Sequence, residues 1–185
     1  MGEKGESIMK KICFVTTVYM TYKCFLKQLS QYLYESGEYD ISLICNNEEG
    51  ALKDIPSFVH YHPVDMKRGV SLSAFGAIKK IGEILEREKF VQYSTPNAAF
   101  YASIAAKKKK VPVRLYCQWG IRYMGFEGWK RSVFKHLEKK TCDNSTFIEA
   151  ESHNIRNFSL DEKLYNADRS CVIWNGSASG VDLNK

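Results

Sequence analysis

Short β-rich apolar runs alternate with longer stretches of helical spacing from residue 11 to residue 174, and this rhythm is the strongest constraint on the fold. Residues 11–17 (K-I-C-F-V-T-T) read as a buried strand. Leu26, Leu29, Leu33 and Tyr34 then recur at helical spacing across residues 25–35, and Gly37 closes the pattern. Further strands are predicted at 41–45, 58–64, 90–94, 111–117, 147–150 and 171–174. Helices are predicted at 72–87, 98–109 and 129–141, with another from about Ser152. This alternation predicts an α/β fold: a Rossmann-like, doubly wound, mainly parallel sheet of about seven strands with helices on both faces. Ligands of such sheets sit beyond the carboxyl ends of the strands. Segments 16–22, 46–50, 94–97, 118–128, 151–154 and 175–182 are therefore the places to look for a site.

The chain of 185 residues fits one domain. No run of 18 apolar residues is present, so no transmembrane helix is expected. Residues 1–9 are polar and lack the apolar core of a signal peptide, so they read as a disordered leader. None of the six cysteines stands in a C-x-x-C pair, and most sit in apolar runs. They read as reduced thiols of a cytoplasmic protein. The net charge of +6 favours anionic partners without choosing among them. Nucleic acid is set aside, because no recognisable binding module accompanies the charge.

Several segments bear on chemistry. After the first strand comes T-T-V-Y-M-T-Y-K, without the glycines that let backbone approach a pyrophosphate. That excludes a nicotinamide or flavin reading, and leaves Thr16, Thr17 and Thr21 either as turn and cap residues or as ligand contacts. The fourth strand runs into S-T-P-N-A-A-F, where Ser94, Thr95 or Asn97 is expected to cap a helix. The same helix start has amides that could receive an anion. The segment C-Q-W-G-I-R-Y-M-G-F-E-G-W-K-R concentrates glycines and aromatics beside Arg122, a cation suited to a phosphate or carboxylate.

The helix from Trp129 to Lys140 has an apolar stripe and many basic residues, which suits either core packing or an anionic membrane surface. His60 and His62 share a strand face but lack further ligands, so no metal is expected. Glu149 and Glu151 read as ordinary surface or turn acids.

The C-terminal stretch V-I-W-N-G-S-A-S-G-V-D-L-N-K resembles the interdomain crossover of the retaining glycosyltransferases of family 4. The S-T-P-N helix start, V-P-V-R-L-Y, the Gly loop and F-I-E-A-E-S-H-N precede it in the family's order. The closest likeness is to bacterial enzymes of capsular, exopolysaccharide or lipopolysaccharide synthesis. The resemblance implies a GT-B architecture. Residues 10–174 would be its N-terminal, acceptor-side domain, and residues 175–185 the start of the crossover. The C-terminal donor domain would be absent from this chain, so the chain alone is expected to be inactive.

The resemblance also implies a nucleotide-sugar donor held mainly on that other domain, a glycan or lipid-linked saccharide acceptor, and neither cofactor nor metal. By position, Thr17, Tyr19, Asn97, Trp119, Gly120, Arg122, Asn175 and Gly176 would line the cleft or hinge. Trp119→Ala and Arg122→Ala are expected to impair transfer in the full enzyme without disturbing the fold. The sequence departs from the family in two loops: Val18-Tyr19-Met20 replaces a Gly pair, and Trp119-Gly120 replaces His-Gly. The alternative reading is a non-catalytic binding subunit that docks a catalytic partner at the membrane.

Overall fold

A computed structural model describes residues 9–66 and 73–178. Seven parallel strands form one sheet in the order β3-β2-β1-β4-β5-β6-β7. They are β1 (Lys10–Val15), β2 (Tyr39–Cys45), β3 (Val59–Pro63), β4 (Phe90–Tyr93), β5 (Val113–Gln118), β6 (Phe147–Ala150) and β7 (Ser170–Cys171). The helices are α1 (Tyr19–Phe25), α2 (Lys27–Glu35), α3 (Ala51–Asp54), α4 (Ser73–Ile84), α5 (Pro96–Lys108), α6 (Gly128–Asn144) and α7 (His153–Asp161).

The pleat divides the core in two. Ile12 and Phe14 pack with Tyr22 of α1 and with Leu26 at the α1–α2 junction, whereas Cys13 and Val15 face the α4–α5–α6 side. Successive strand residues point to opposite faces, so strands buried on both sides read as unbroken apolar runs. Helix α5 lies deep on the sheet because Ala98, Ala99, Ala102, Ala105 and Ala106 present almost no bulk to it. Each bulky core side chain, such as Phe14, Ile81 or Leu85, contributes roughly 1.5–3 kcal/mol by leaving water.

The sheet and most boundaries follow the sequence reading; the differences have local causes. The helix expected at 25–35 is two helices broken at Leu26, whose ψ of -20° and buried side chain turn the chain. The first begins early because the Tyr19 amide donates to Glu48 Oε1 at 3.0 Å. The strand expected from residue 111 starts at Val113, because the Val111 amide still closes α5 on the Ala106 carbonyl. Lys110 supplies the left-handed turn there, with φ 57°. The strand expected at 171–174 stops at Cys171, since Trp174 (φ 53°) and Gly176 (φ 93°) turn the chain off the sheet. The leader through Glu6–Ile8, the helix start at Leu72 and the G-V-D-x-x-K stretch from Gly180 lie outside the described residues.

A buried polar network fixes the end of β5. The Gln118 amide donates to Glu138 Oε1 at 2.8 Å, and its carbonyl oxygen accepts from Ser159 and Tyr165. The Tyr116 hydroxyl donates to the same Glu138 oxygen at 2.9 Å. Every bond in this set joins β5 to α6 or to the α7 region, which holds the loop between them in place.

Candidate functional site

Strand order reverses between β1 and β4. From β1 the chain departs toward β2, and from β4 it departs toward β5 on the other side. This is the topological switch point where doubly wound sheets open a ligand crevice. A cavity of about 320 Å³ lies there, lined by Thr17, Val18, Thr95, Pro96, Asn97 and Arg122.

Its floor is tied together by hydroxyls. The Thr17 amide donates to Thr95 Oγ1 at 3.0 Å, and the two hydroxyls share a hydrogen bond at 2.8 Å. Thr17 Oγ1 also accepts from the Ala98 amide at 3.3 Å. The cap of α5 therefore comes from the loop after β1, not from Ser94, Thr95 or Asn97 as the sequence suggests. Thr95 sits at φ 66°, a left-handed conformation costly for a branched residue, and these bonds hold it there. The Ala99 amide is closed on the Thr95 carbonyl. The helix start thus spends two of its amides internally, and the charge available to an anion is that of Arg122 beside it.

Arg122 opens a short 3-10 turn after β5 (Arg122–Gly125). Its guanidinium donates to Asn97 Oδ1 at 3.1 Å and lies 4.4 Å from the Phe134 ring centre. Tyr123, fully buried, anchors the turn by donating to Glu162 Oε2. Arg131 and Lys135 of α6 converge on the same carboxylate at 3.3 and 2.7 Å. The Lys135 hydrogen bond, more than any other contact, holds the Glu162 pKa below its usual value. The arginine is thus presented by a braced turn.

From this crevice a second cavity of about 270 Å³ runs along the outer side of α5, between α4 and α6. Phe100 and Ile104 form its floor, Ile78 and Phe75 one wall, Phe134 and Leu137 the other. Asn97 and Arg122 stand in the lining of both cavities. Among the described residues Glu138 is its one carboxylate, and burial pushes that carboxyl up.

The remaining sequence candidates lie elsewhere. Tyr19 is a core residue against Tyr22, with its hydroxyl near Asp54 but outside hydrogen-bonding geometry. Trp119 packs on Phe25, ring centres 5.1 Å apart, with the opposite core cluster. It borders a third cavity of about 330 Å³ over Gln92, Leu115, Cys117 and Glu149, next to Trp174 and Gly176. Gly120 adopts φ 129°, which lets the chain turn between Trp119 on one face and Ile121 on the other. Asn175 is exposed in a turn.

A Cβ at Gly176 would collide with the Glu151 carbonyl oxygen, so this glycine is required for packing residues 176–177 against the end of β6. Glu149 is buried, contrary to its reading as a surface acid, and burial raises its pKa. The His60 imidazole meets Asp40 at 2.8 Å. Among the described residues, no group of three or more His, Cys, Asp or Glu stands in metal-binding proximity. Sequence reasoning missed Thr95 as a site residue and the whole α5 groove; the alanine spacing of α5 was the available signal.

The fold and this crevice define a doubly wound domain of the kind that makes up one half of a GT-B enzyme. HepE from Anabaena, solved with UDP and glucose, superposes with a TM-score of 0.66 at 15% identity over 95% of this chain and 46% of its own. The UDP-GlcNAc 2-epimerase of Methanocaldococcus jannaschii gives 0.60 at 17% identity, over 91% of this chain and 46% of its own. The chain belongs to the glycosyl transferase 4-like family, whose model matches residues 11–152. A curated relative is the capsular polysaccharide biosynthesis glycosyltransferase CapM of Staphylococcus aureus, 28% identical over 127 residues. That match covers 67% of this chain and 33% of CapM, so the chain spans about a third of its relative's length.

Proposed function

We propose that this domain is the acceptor side of a glycosyltransferase that moves a sugar from a nucleotide-sugar donor to a glycan or lipid-linked saccharide in capsular, exopolysaccharide or lipopolysaccharide synthesis. One observation carries the reading: the loop after β1 has no glycine and commits two of its amides within the protein. Thr17 N–H is committed to Thr95 and Tyr19 N–H to Glu48, and no glycine lies between them. Dinucleotide and nucleotide-sugar sites of doubly wound domains rely on such amides.

The crevice instead offers hydroxyls, an amide side chain and one guanidinium, a set suited to a polyhydroxylated acceptor carrying an acidic group. The donor then belongs on a second domain facing this one. On this reading Arg122 pairs with the acceptor's anionic group, while Asn97 orients the guanidinium. The enzyme needs no resident cofactor or metal, since the nucleotide sugar is a substrate. It works in the cytoplasm, peripherally at the inner face of the membrane.

Calorimetric titration of the 185-residue chain with UDP-glucose and UDP-GlcNAc tests this assignment. The expected result is no saturable heat. One-to-one binding at micromolar concentration, weakened by Arg122→Ala, places the donor in this crevice and overturns the acceptor-side reading.

A further inference from the structure

We propose that Glu162 is a positioning residue for Arg122. Through Tyr123 on one side and helix α6 on the other, its carboxylate fixes where the guanidinium meets an anionic group in the switch-point crevice. The inference rests on the reading of Arg122 as the contact for the acceptor's anion, and adds the residue that sets the arginine's place.

Arg122 is held from two sides. The backbone of its turn is carried by Tyr123, whose fully buried ring packs on Phe158, ring centres 6.1 Å apart. The Tyr123 hydroxyl donates to Glu162 Oε2 at 3.2 Å. The guanidinium itself rests on the Phe134 ring of α6, 4.4 Å from its centre. Residues 131, 134 and 135 are three and four apart, so they share one face of that helix. Arg131 meets Glu162 Oε1 at 3.3 Å and Lys135 meets Oε2 at 2.7 Å. Glu162 thus grips α6 by the two residues that flank the platform under Arg122. Arg131 also lies 5.0 Å from the Tyr123 ring centre, which joins the two sides. The carboxylate has a fixed origin, because Glu162 ends α7 with its amide on the Phe158 carbonyl at 2.9 Å.

Stability alone is a weak reason for this convergence. The Glu162, Arg131 and Lys135 side chains are 22%, 36% and 39% exposed, and ion pairs so open to water contribute little. Position is a stronger reason. A guanidinium reads a phosphate or carboxylate through paired N–H bonds whose geometry tolerates little displacement. A shift of about 1 Å at a reacting site can cost roughly 100-fold in rate.

Charge and position predict opposite effects of removing this carboxylate. Replacing Glu162 with glutamine leaves Arg122, Arg131 and Lys135 in a more positive field, and field alone would tighten anion binding. Loss of positioning weakens it.

The experiment compares the native 185-residue chain with Tyr123→Phe, Glu162→Gln, Lys135→Gln and Arg122→Gln, using inorganic phosphate as the probe. Tyr123→Phe cuts the tie to the turn and changes no charge. Glu162→Gln cuts the tie to α6, and Lys135→Gln loosens the same tie without touching a buried group. Circular dichroism checks that each variant folds. Nuclear magnetic resonance of the guanidinium groups reads Arg122 directly, with its signals assigned by their loss in Arg122→Gln. In the native chain the Arg122 Nη hydrogens should resolve as separate resonances, because the bond to Asn97 Oδ1 and the Phe134 ring slow the group's rotation. In Tyr123→Phe and Glu162→Gln they should merge. Phosphate affinity by calorimetry should be lost in Arg122→Gln and fall about threefold in each of those two variants, with a smaller fall in Lys135→Gln.

Folded Tyr123→Phe and Glu162→Gln chains that keep the native Arg122 resonances overturn the proposal, whatever their stability. A native chain whose Arg122 resonances are already merged overturns it without any variant. Tighter phosphate binding in Glu162→Gln or Lys135→Gln, with Tyr123→Phe unchanged, means that these groups act by charge alone and overturns it too. If the native chain binds no phosphate through Arg122, the acceptor reading of that arginine fails, and the resonances still decide the role of Glu162.

Discussion

Thr17→Val removes one hydroxyl and almost no volume, and the structure gives the size of its effect. The Thr17 side chain is buried, bonds to Thr95 Oγ1 at 2.8 Å and accepts from the Ala98 amide at 3.3 Å. In the variant the Ala98 amide, itself fully buried, loses its partner. An orphaned buried donor costs ~1–3 kcal/mol, and loss of a helix cap ~0.5–2 kcal/mol. These figures describe overlapping events and are not summed.

Thr95 keeps the bond from the Thr17 backbone amide at 3.0 Å, so it is not orphaned. The expected loss is therefore about 2 kcal/mol, and Tm should fall by roughly 4–8 °C for a domain of this size. Thr17→Ser retains the hydroxyl and should recover most of that loss. Urea unfolding of the three proteins, followed by far-ultraviolet circular dichroism, reads the difference. If Thr17→Val lies within about 0.5 kcal/mol of the native chain, the cross-strand cap contributes nothing.

Gly176→Ala should release residues 176–177 from the end of β6, because the new Cβ meets the Glu151 carbonyl and φ is 93°. Hydrogen exchange at the Ser177 amide, which bonds Glu151 at 2.8 Å, should speed up by tenfold or more for a strain of ~1–2 kcal/mol. Trp119→Ala should act through stability, at ~1–3 kcal/mol for a half-buried indole packed on Phe25, leaving phosphate binding at Arg122 unchanged.

Glu138→Gln should alter the pH dependence of unfolding. Burial raises the folded-state pKa above the ordinary 4.5, so the folded state holds the proton more tightly. Stability from this group is complete below 4.5 and is lost as pH rises through the folded pKa. The glutamine variant should therefore gain on the native chain between pH 5 and 8, by the urea midpoint, and show no advantage near pH 4.

Much of the architecture was legible because the strands are buried on both faces. Residues 41–45 read as one apolar run for the reason that Leu43 and Ile44 serve different core clusters. Boundaries failed where a single bond decided them. The Tyr19 amide on Glu48 starts α1 early, and no periodicity announces a contact between residues so far apart. At the site, Thr17, Asn97 and Arg122 come together as their positions at strand ends imply, since the switch point is set by strand order.

Trp119 stands apart from that crevice, beside Gly176, and the pleat marked its side. Leu115, Cys117 and Trp119 alternate with Tyr116 and Gln118, and so border the cavity on the face away from the groove. The groove itself was illegible as a site. It exists because alanines sink α5 between two bulkier helices, a relation among three helices that no single segment displays.

The central claim is that Arg122 faces the acceptor and not the donor. Steady-state kinetics of a polypeptide joining this domain to a nucleotide-sugar-binding domain test it most directly, with Arg122→Ala compared against the native sequence. The account predicts that KM for the acceptor rises about tenfold or more while KM for the nucleotide sugar stays unchanged. A raised KM for the nucleotide sugar with an unchanged KM for the acceptor contradicts it.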